Sequence, residues 1–113
     1  MKTISHRLRH RITLEIPGLA QDPVSGEMIP GWQVFAENVP AEITDLSVKE
    51  YLAAQSAQSE VSTRVRIRFR EGVNATMRII HRGDIYNIHG VQRDPDSGIE
   101  WLTLPCSRGV KDG

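Results

Sequence analysis

The sequence predicts a mainly β domain, a small antiparallel β-barrel or sandwich of about six strands with one short α-helix. Apolar and polar residues alternate with a period of two in several segments, most regularly at residues 61–70. Turn-forming sequences separate these segments, and one capping-box motif marks a helix. A chain of 113 residues has room for one core, so we expect residues 1–113 to form one domain.

The first strand is predicted at residues 10–16, where Ile12, Leu14 and Ile16 alternate with polar residues. Residues 17–31 are expected to form a long hairpin loop, because the run Asp22-Pro23-Val24-Ser25-Gly26 favours chain reversal. The second strand should begin at Trp32. Proline lacks an amide donor, so we expect Pro40 to interrupt this strand before it resumes after a bend at residues 41–44, as an edge or bulged strand.

A helix is predicted at residues 47–58. The run Ser47-Val48-Lys49-Glu50 is a capping box, in which the Ser47 and Glu50 side chains accept hydrogen bonds from each other's amides. Three turns are marginally stable alone, so this helix should need to dock onto the sheet or a neighbouring subunit.

The third strand, at residues 61–70, carries the strongest signal. Its apolar face comprises Val61, Thr63, Val65, Ile67 and Phe69, and its polar face comprises Ser62, Arg64, Arg66, Arg68 and Arg70. Further strands are predicted at residues 77–81, 85–89 and 99–106. The turns Arg82-Gly83-Asp84 and Asp94-Pro95-Asp96-Ser97-Gly98 precede the last two.

Composition excludes several classes of protein. Cys106 is the sole cysteine, so no intrachain disulfide can form and a reducing cytoplasm is the expected place of synthesis. No apolar run is long enough for an export signal or a membrane span, so no membrane association is expected.

The search for chemistry predicts no catalytic, cofactor-binding or metal-binding residue and therefore no enzyme. His81, His89 and Cys106 could approach one another across a hairpin, but the chain has no metal-ligand spacing. It also lacks a nucleophile elbow, a phosphate loop and a dinucleotide fingerprint. Carboxylates such as Asp94 and Asp96 lie in turn sequences, where bonds to the backbone explain them.

The formal net charge is zero, but it is divided into blocks of opposite sign. Residues 1–13 carry +4, residues 14–60 carry −7, residues 61–93 carry +5 and residues 94–113 carry −2. Such blocks suit a subunit whose acidic surface meets the basic surface of another copy.

The arginine ladder, defined as Arg64, Arg66, Arg68 and Arg70, leaves three interpretations open. Four like charges at a spacing of two repel one another unless water, acids or phosphates compensate. The ladder could be a solvated outer face, could pair with acids of residues 14–60 on an adjacent subunit, or could face DNA phosphates. The aromatic residues are expected in the core rather than on a base-stacking surface.

The order of the motifs resembles the phage head-tail joining family, also called head-closure, head-completion or head-tail adaptor proteins. The matching stretches are residues 8–12, the turn at 22–26 followed by Trp32, residues 39–43 before the helix, and residues 65–69, 77–79, 86–91 and 102–106.

The resemblance implies a non-enzymatic virion protein with a β-barrel and a helix. Such proteins assemble as homo-oligomeric rings, commonly of twelve or six subunits, between the portal or adaptor protein and the tail terminator or tail tube protein. Double-stranded DNA passes through the ring. The ladder is then a candidate subunit interface or DNA-channel lining, and Asp22, Val24, Glu27 and Met28 are candidate partner-contact residues of the predicted loop.

A stand-alone barrel that binds single-stranded nucleic acid is the alternative function. The ladder would follow the phosphates, and Tyr86 or Trp101 would stack on bases. The zero net charge counts against this alternative, which predicts strongly salt-dependent binding. In the ring interpretation, charge reversal at Arg66 or Arg68 should weaken assembly more than folding.

Overall fold

The computed structural model describes residues 7–109, and seven β-strands and one α-helix lie in this range. The elements are β1 (His10–Gln21), β2 (Met28–Asp45), α1 (Val48–Ser56), β3 (Thr63–Arg68), β4 (Arg78–His81), β5 (Asp84–Ile88), β6 (Gln92–Arg93) and β7 (Trp101–Arg108). The predicted mainly β fold with one short helix is confirmed. The two-residue strand β6 had no counterpart in the prediction.

The sheet closes on itself. Its strand order is β3-β2-β1-β4-β5-β7-β6, and β3 also pairs with β7, so the six longer strands form a circuit of antiparallel pairs. Strand β6 pairs with β7 at Leu102 and Thr103, further along β7 from its pairing with β5 at Cys106–Arg108. Closure satisfies the backbone groups that an open sheet would leave unpaired at its edges.

The core lies inside this closed sheet, and the alternation predicted for the third strand is confirmed. Thr63, Val65 and Ile67 are buried, whereas Arg64, Arg66 and Arg68 point outward. Inward residues of all six longer strands join them, including Ile12, Leu14, Val39, Ala41, Ile79, Tyr86, Ile88, Leu102, Leu104 and Cys106.

The prediction of a long loop at residues 17–31 was wrong for most of that segment. β1 continues to Gln21 and β2 begins at Met28, so only residues 22–27 turn. The backbone of Asp22 accepts from the Gly26 amide at 2.8 Å and donates to the Glu27 carbonyl at 2.7 Å. Gly26 takes φ +80°, a conformation that glycine adopts without strain. The residues that reverse the chain thus all lie in one tight turn at the tip of this hairpin.

Pro40 does not interrupt the second strand, contrary to the prediction. β2 is continuous from Met28 to Asp45, and Pro40 lies opposite Arg11. The irregularity occurs just before it, where the pairing shifts register between Ile12 and Leu14 and Asn38 takes φ +53°. A bulge therefore absorbs the distortion and lets the strand pass through the proline.

The capping box at the start of α1 is confirmed. The Ser47 hydroxyl accepts from the Glu50 amide at 3.2 Å, and the Glu50 carboxylate accepts from the Ser47 amide at 3.0 Å. The helix ends at Ser56, two residues before the predicted end, and Gln58 has a positive φ. None of its side chains is buried. The helix is instead linked to the sheet by an ion pair between Glu50 and Arg64 at 2.9 Å.

The last strand begins two residues later than predicted, at Trp101. The cause is Asp94, whose carboxylate accepts from the amides of Glu100 and Trp101 and so keeps the chain before Trp101 in the turn. The hairpin of β4 and β5 turns at Arg82 and Gly83, both with positive φ, as their turn-forming sequence predicted.

Candidate functional site

Strands β1 and β2 extend beyond the closed sheet as a two-stranded arm, defined here as residues 16–33. β1 pairs with β4 only at residues 13–15, and β2 pairs with β3 only at residues 41–45. Within the arm, each strand therefore pairs only with the other. Two-stranded ribbons are marginally stable in water, so such an arm gains stability from a partner.

The surface of the arm is unusually apolar. Its exposed apolar residues are Leu19, Val24, Met28, Ile29 and Trp32, and the side chain of Val24 at the tip is 92% exposed. The four predicted contact residues, Asp22, Val24, Glu27 and Met28, all lie at or beside this tip. Clusters of exposed apolar residues commonly mark interaction sites.

Trp32 was expected in the core but lies on this surface. The guanidinium of Arg78 stacks over its ring at 4.2 Å, and Arg78 also pairs with Glu15 at 2.8 Å. These contacts hold the base of the arm on the sheet. Leu19, Ile29 and Trp32 were not predicted as surface residues, because the arm is exposed on both faces and so lacks the period-two alternation of a half-buried strand.

The arm itself contains no positively charged residue. Residues 12–48 include no lysine or arginine, and the tip presents Asp22 and Glu27. The amides of Val24 and Ser25 donate to the Asp22 carboxylate and lower its pKa, so the tip stays anionic at neutral pH. The arm is therefore a poor surface for nucleic acid.

The arginine ladder faces outward along β3, and part of it is already paired within the chain. Arg64 binds Glu50, and the guanidinium of Arg68 lies 5.1 Å from the centre of the Trp101 ring. Arg66 and Arg70 make no ion pair with any residue of the range 7–109. Thus Glu50, an acid of the segment 14–60, pairs with Arg64 of the ladder within the same copy.

Two of the grooves beside the ladder differ in their charge. The larger, about 480 Å³, is lined by Arg64, Arg66 and Arg93 but also by Glu50, Asp94, Asp96 and Glu100, so its charges are mixed. The smaller, about 310 Å³, is named here the apolar groove. It is lined chiefly by Phe69, Arg70, Val73, Val91, Arg93 and Leu102, with Glu71 and Gly72 at its edge. It combines an apolar floor with two arginines and one acid, Glu71, so positive charge is in excess.

Asp94 organises the turn beside the larger groove, as its turn sequence predicted. Its carboxylate accepts hydrogen bonds from five backbone amides, those of Asp96, Ser97, Gly98, Glu100 and Trp101. These donors favour the charged form and hold the pKa of Asp94 well below its usual range. The carboxylate is therefore structural.

We expect the Asp94→Asn variant to have a lower Tm than the wild type at pH 7, because an amide has one acceptor oxygen. A lowered folded-state pKa contributes stability above the unfolded value and loses it as pH falls. The difference in Tm should therefore stay constant from neutral pH down to about 4, the ordinary carboxyl range, and shrink only at lower pH. Thermal scans across pH test this. Asp96→Asn is the matched control, and a Tm difference independent of pH would contradict the prediction.

The three residues considered for a metal site have separate roles. The His89 ring and the Ser107 hydroxyl lie 2.8 Å apart, and His81 packs edge-on against His10 at 4.9 Å. Cys106 is buried, its thiol donates to the Leu104 carbonyl, and burial raises its pKa to about 12. Within residues 7–109, no three potential ligands are placed to hold a metal ion. The same range has no helix long and apolar enough to span a membrane.

Comparison with known proteins identifies the family. The model of the phage head completion protein family matches residues 5–109. Head completion protein gp7 of Enterobacteria phage HK97 is 30% identical over 110 residues, which cover 93% of this chain and 96% of that protein. The family resemblance in the sequence is thus confirmed.

Solved structures agree with this assignment. Protein SF1141 from Shigella flexneri 2a has a TM-score of 0.69 and 31% identity, over 98% of this chain and 100% of that one. A chain from the virion of a native gene transfer agent particle has a TM-score of 0.56 and 17% identity, over 91% and 96%, and shares the fold. This chain therefore belongs to the phage head completion protein family and is a structural component of the phage virion.

Proposed function

We propose that the chain is a ring-forming subunit of the head-tail connector, which joins the DNA-filled head to the tail and continues the DNA channel. Family membership supports the role in the phage head. The structural observation behind the ring is the arm, whose exposed apolar side chains suit contact with another protein. The proposal assigns the chain no catalytic role.

A ring follows if the arm of one copy contacts a different surface on the next. Such a contact is heterologous, and repeated around an axis it closes into a ring when the rotation allows. Twelve or six subunits are the numbers that the resemblance implies. The two faces of the ring would bind the portal or adaptor protein and the tail terminator or tail tube protein, and double-stranded DNA would pass through the centre.

The arginine ladder has two possible positions in this ring, at the contact between subunits or along the channel. Arg66 and Arg70 are better placed for either role than Arg64, which is paired with Glu50. We favour the subunit contact, because the acidic residues near Arg64 and Arg66 in the larger groove would repel DNA phosphates.

Binding of single-stranded nucleic acid is less well supported. Tyr86 is only 3% exposed and cannot stack on a base, and Arg68 lies over the Trp101 ring. We expect titration of fluorescent oligonucleotides at low salt to give no saturable binding. Tight binding that weakens steeply with added salt would favour this alternative over the connector.

Deletion of the gene in its own phage or prophage tests the connector role. We expect DNA-filled heads and complete tails that fail to join, visible by electron microscopy. Supplying the wild-type chain from a plasmid should restore joined particles and serves as the control. Joined particles in the absence of the chain would disprove the proposal, as would heads that never fill with DNA.

A further inference from the structure

We infer that the tip of the arm of one copy docks into the apolar groove of a second copy. This inference rests on the proposed ring and goes further, because it names the two surfaces that meet. The occupant of the groove is a hairpin tip with apolar and acidic side chains, and the groove offers apolar and basic ones.

The tip has both kinds of group on its surface. Val24 is almost fully exposed and Met28 is more than half exposed. Asp22 and Glu27 are the first and last residues of the turn, and hydrogen bonds from the amides of Val24 and Ser25 lower the pKa of Asp22 and keep it ionised. An apolar knob between two negative charges therefore projects from the sheet.

The groove has the complementary groups. Phe69, Val73 and Val91 are half-buried against the core, so their outer surfaces form an apolar floor. Arg70 is exposed at one side, and the guanidinium of Arg93 lies 5.4 Å from the centre of the Phe69 ring. Neither arginine has an ion-pair partner among residues 7–109, so both are available to carboxylates of another chain.

The tip cannot reach the groove of its own copy. Phe35, at the base of the arm, packs against Gly72 at the edge of the groove, where an added Cβ would lie 3.0 Å from the ring. Six residue pairs, from Ile16–Gln33 to Gln21–Met28, separate this base from the tip. At about 3.3 Å per residue the tip projects roughly 20 Å away. A tip that fills the groove must therefore come from a different copy.

The contact should be made by side chains rather than by added β-strands. Pro17 lies opposite Trp32 and Pro30 lies opposite Leu19, so each strand of the arm contains a proline. Proline has no N–H group, so it fits in a strand where the paired strand needs no donor. The two prolines therefore leave gaps in the row of N–H donors along the outer edges of the arm. Edges interrupted in this way are poor templates for a further strand.

Paramagnetic relaxation measurements on the purified full chain test this docking. Glu71 at the groove edge is replaced by cysteine and given a nitroxide label, while buried Cys106, with its raised pKa, stays unmodified. The spin-labelled chain is mixed at millimolar concentration with ¹⁵N-enriched wild type that carries no spin label. We expect the amide signals of residues 22–28 to broaden. A control label at Arg82→Cys, in the β4–β5 hairpin, should broaden these signals little.

A charge exchange makes the test specific. Glu27→Arg in the ¹⁵N-enriched copy should weaken association about tenfold, and Arg93→Glu in the spin-labelled copy should restore it. Glu37→Arg, which changes an acid outside the tip, is the matched control and should have little effect. Folding of each variant is verified from its amide spectrum.

Three results would overturn the inference: no broadening at residues 22–28, broadening centred on another surface, or an effect unchanged by Glu27→Arg. None of these results would contradict the proposed function if deletion of the gene still leaves heads and tails unjoined. Conversely, joined particles after deletion would disprove the connector role even if the tip docks in solution.

Discussion

Leu104→Ala should lower the free energy of unfolding by about 2–5 kcal/mol, because it opens a cavity in the core. Leu104 has no exposed surface and lies opposite Val65 in the pairing of β3 with β7 that closes the sheet. Chemical denaturation followed by circular dichroism measures the change. Small domains are typically stable by about 5–15 kcal/mol, so a loss of this size removes a large share of the total stability.

Ile99→Ala is the control for this measurement. Ile99 is also a large apolar residue close to β7, but it is 65% exposed. Its truncation should change the free energy of unfolding by less than about 0.5 kcal/mol. Equal losses for the two variants would contradict the placement of Leu104 in the core.

Removal of the arm should abolish assembly and preserve the fold. In this variant an Asn-Gly turn replaces residues 17–32 and joins Ile16 to Gln33, which are cross-strand partners. The closed sheet keeps all the pairings of β3, β4, β5 and β7, so the variant should remain folded. Because the proposed ring depends on the arm, joined infectious particles should fall by several orders of magnitude in a complementation assay.

Two measurements accompany the arm deletion. A cooperative unfolding transition shows that the closed sheet survives, and a Val24→Ser variant, which changes one tip side chain, should give an intermediate loss of joined particles. A folded, arm-less chain that supports normal particle yields would show that the arm is dispensable and that another surface forms the ring.

The parts of the fold that could be predicted are those encoded locally. The alternation at residues 61–70 identified β3 and its buried face, and the Ser47–Glu50 capping box located the start of α1. Both signals depend on residues a few positions apart. The reversal at residues 22–26 was also identified correctly from its turn sequence.

The remainder depends on contacts between distant residues. The arm was taken for a loop because strands exposed on both faces have no alternation to reveal them. Pro40 continues its strand because a bulge at Asn38 relieves the distortion, and no local rule places that bulge. The ion pair of Arg64 with Glu50 likewise depends on how the chain brings a helix beside β3. The apolar groove combines residues of separate segments, so the spacing of residues along the sequence could not predict it.

The closed sheet has a consequence for how such proteins diverge. Its hydrogen bonds and its core are complete without the arm, so the arm can change in length and sequence at little cost to folding. A lineage could therefore alter which neighbours it recognises by substitutions in the arm and the groove together, while the rest of the domain drifts slowly. Paired variation of those two surfaces, against a conserved interior, is the evolutionary signature that this architecture permits.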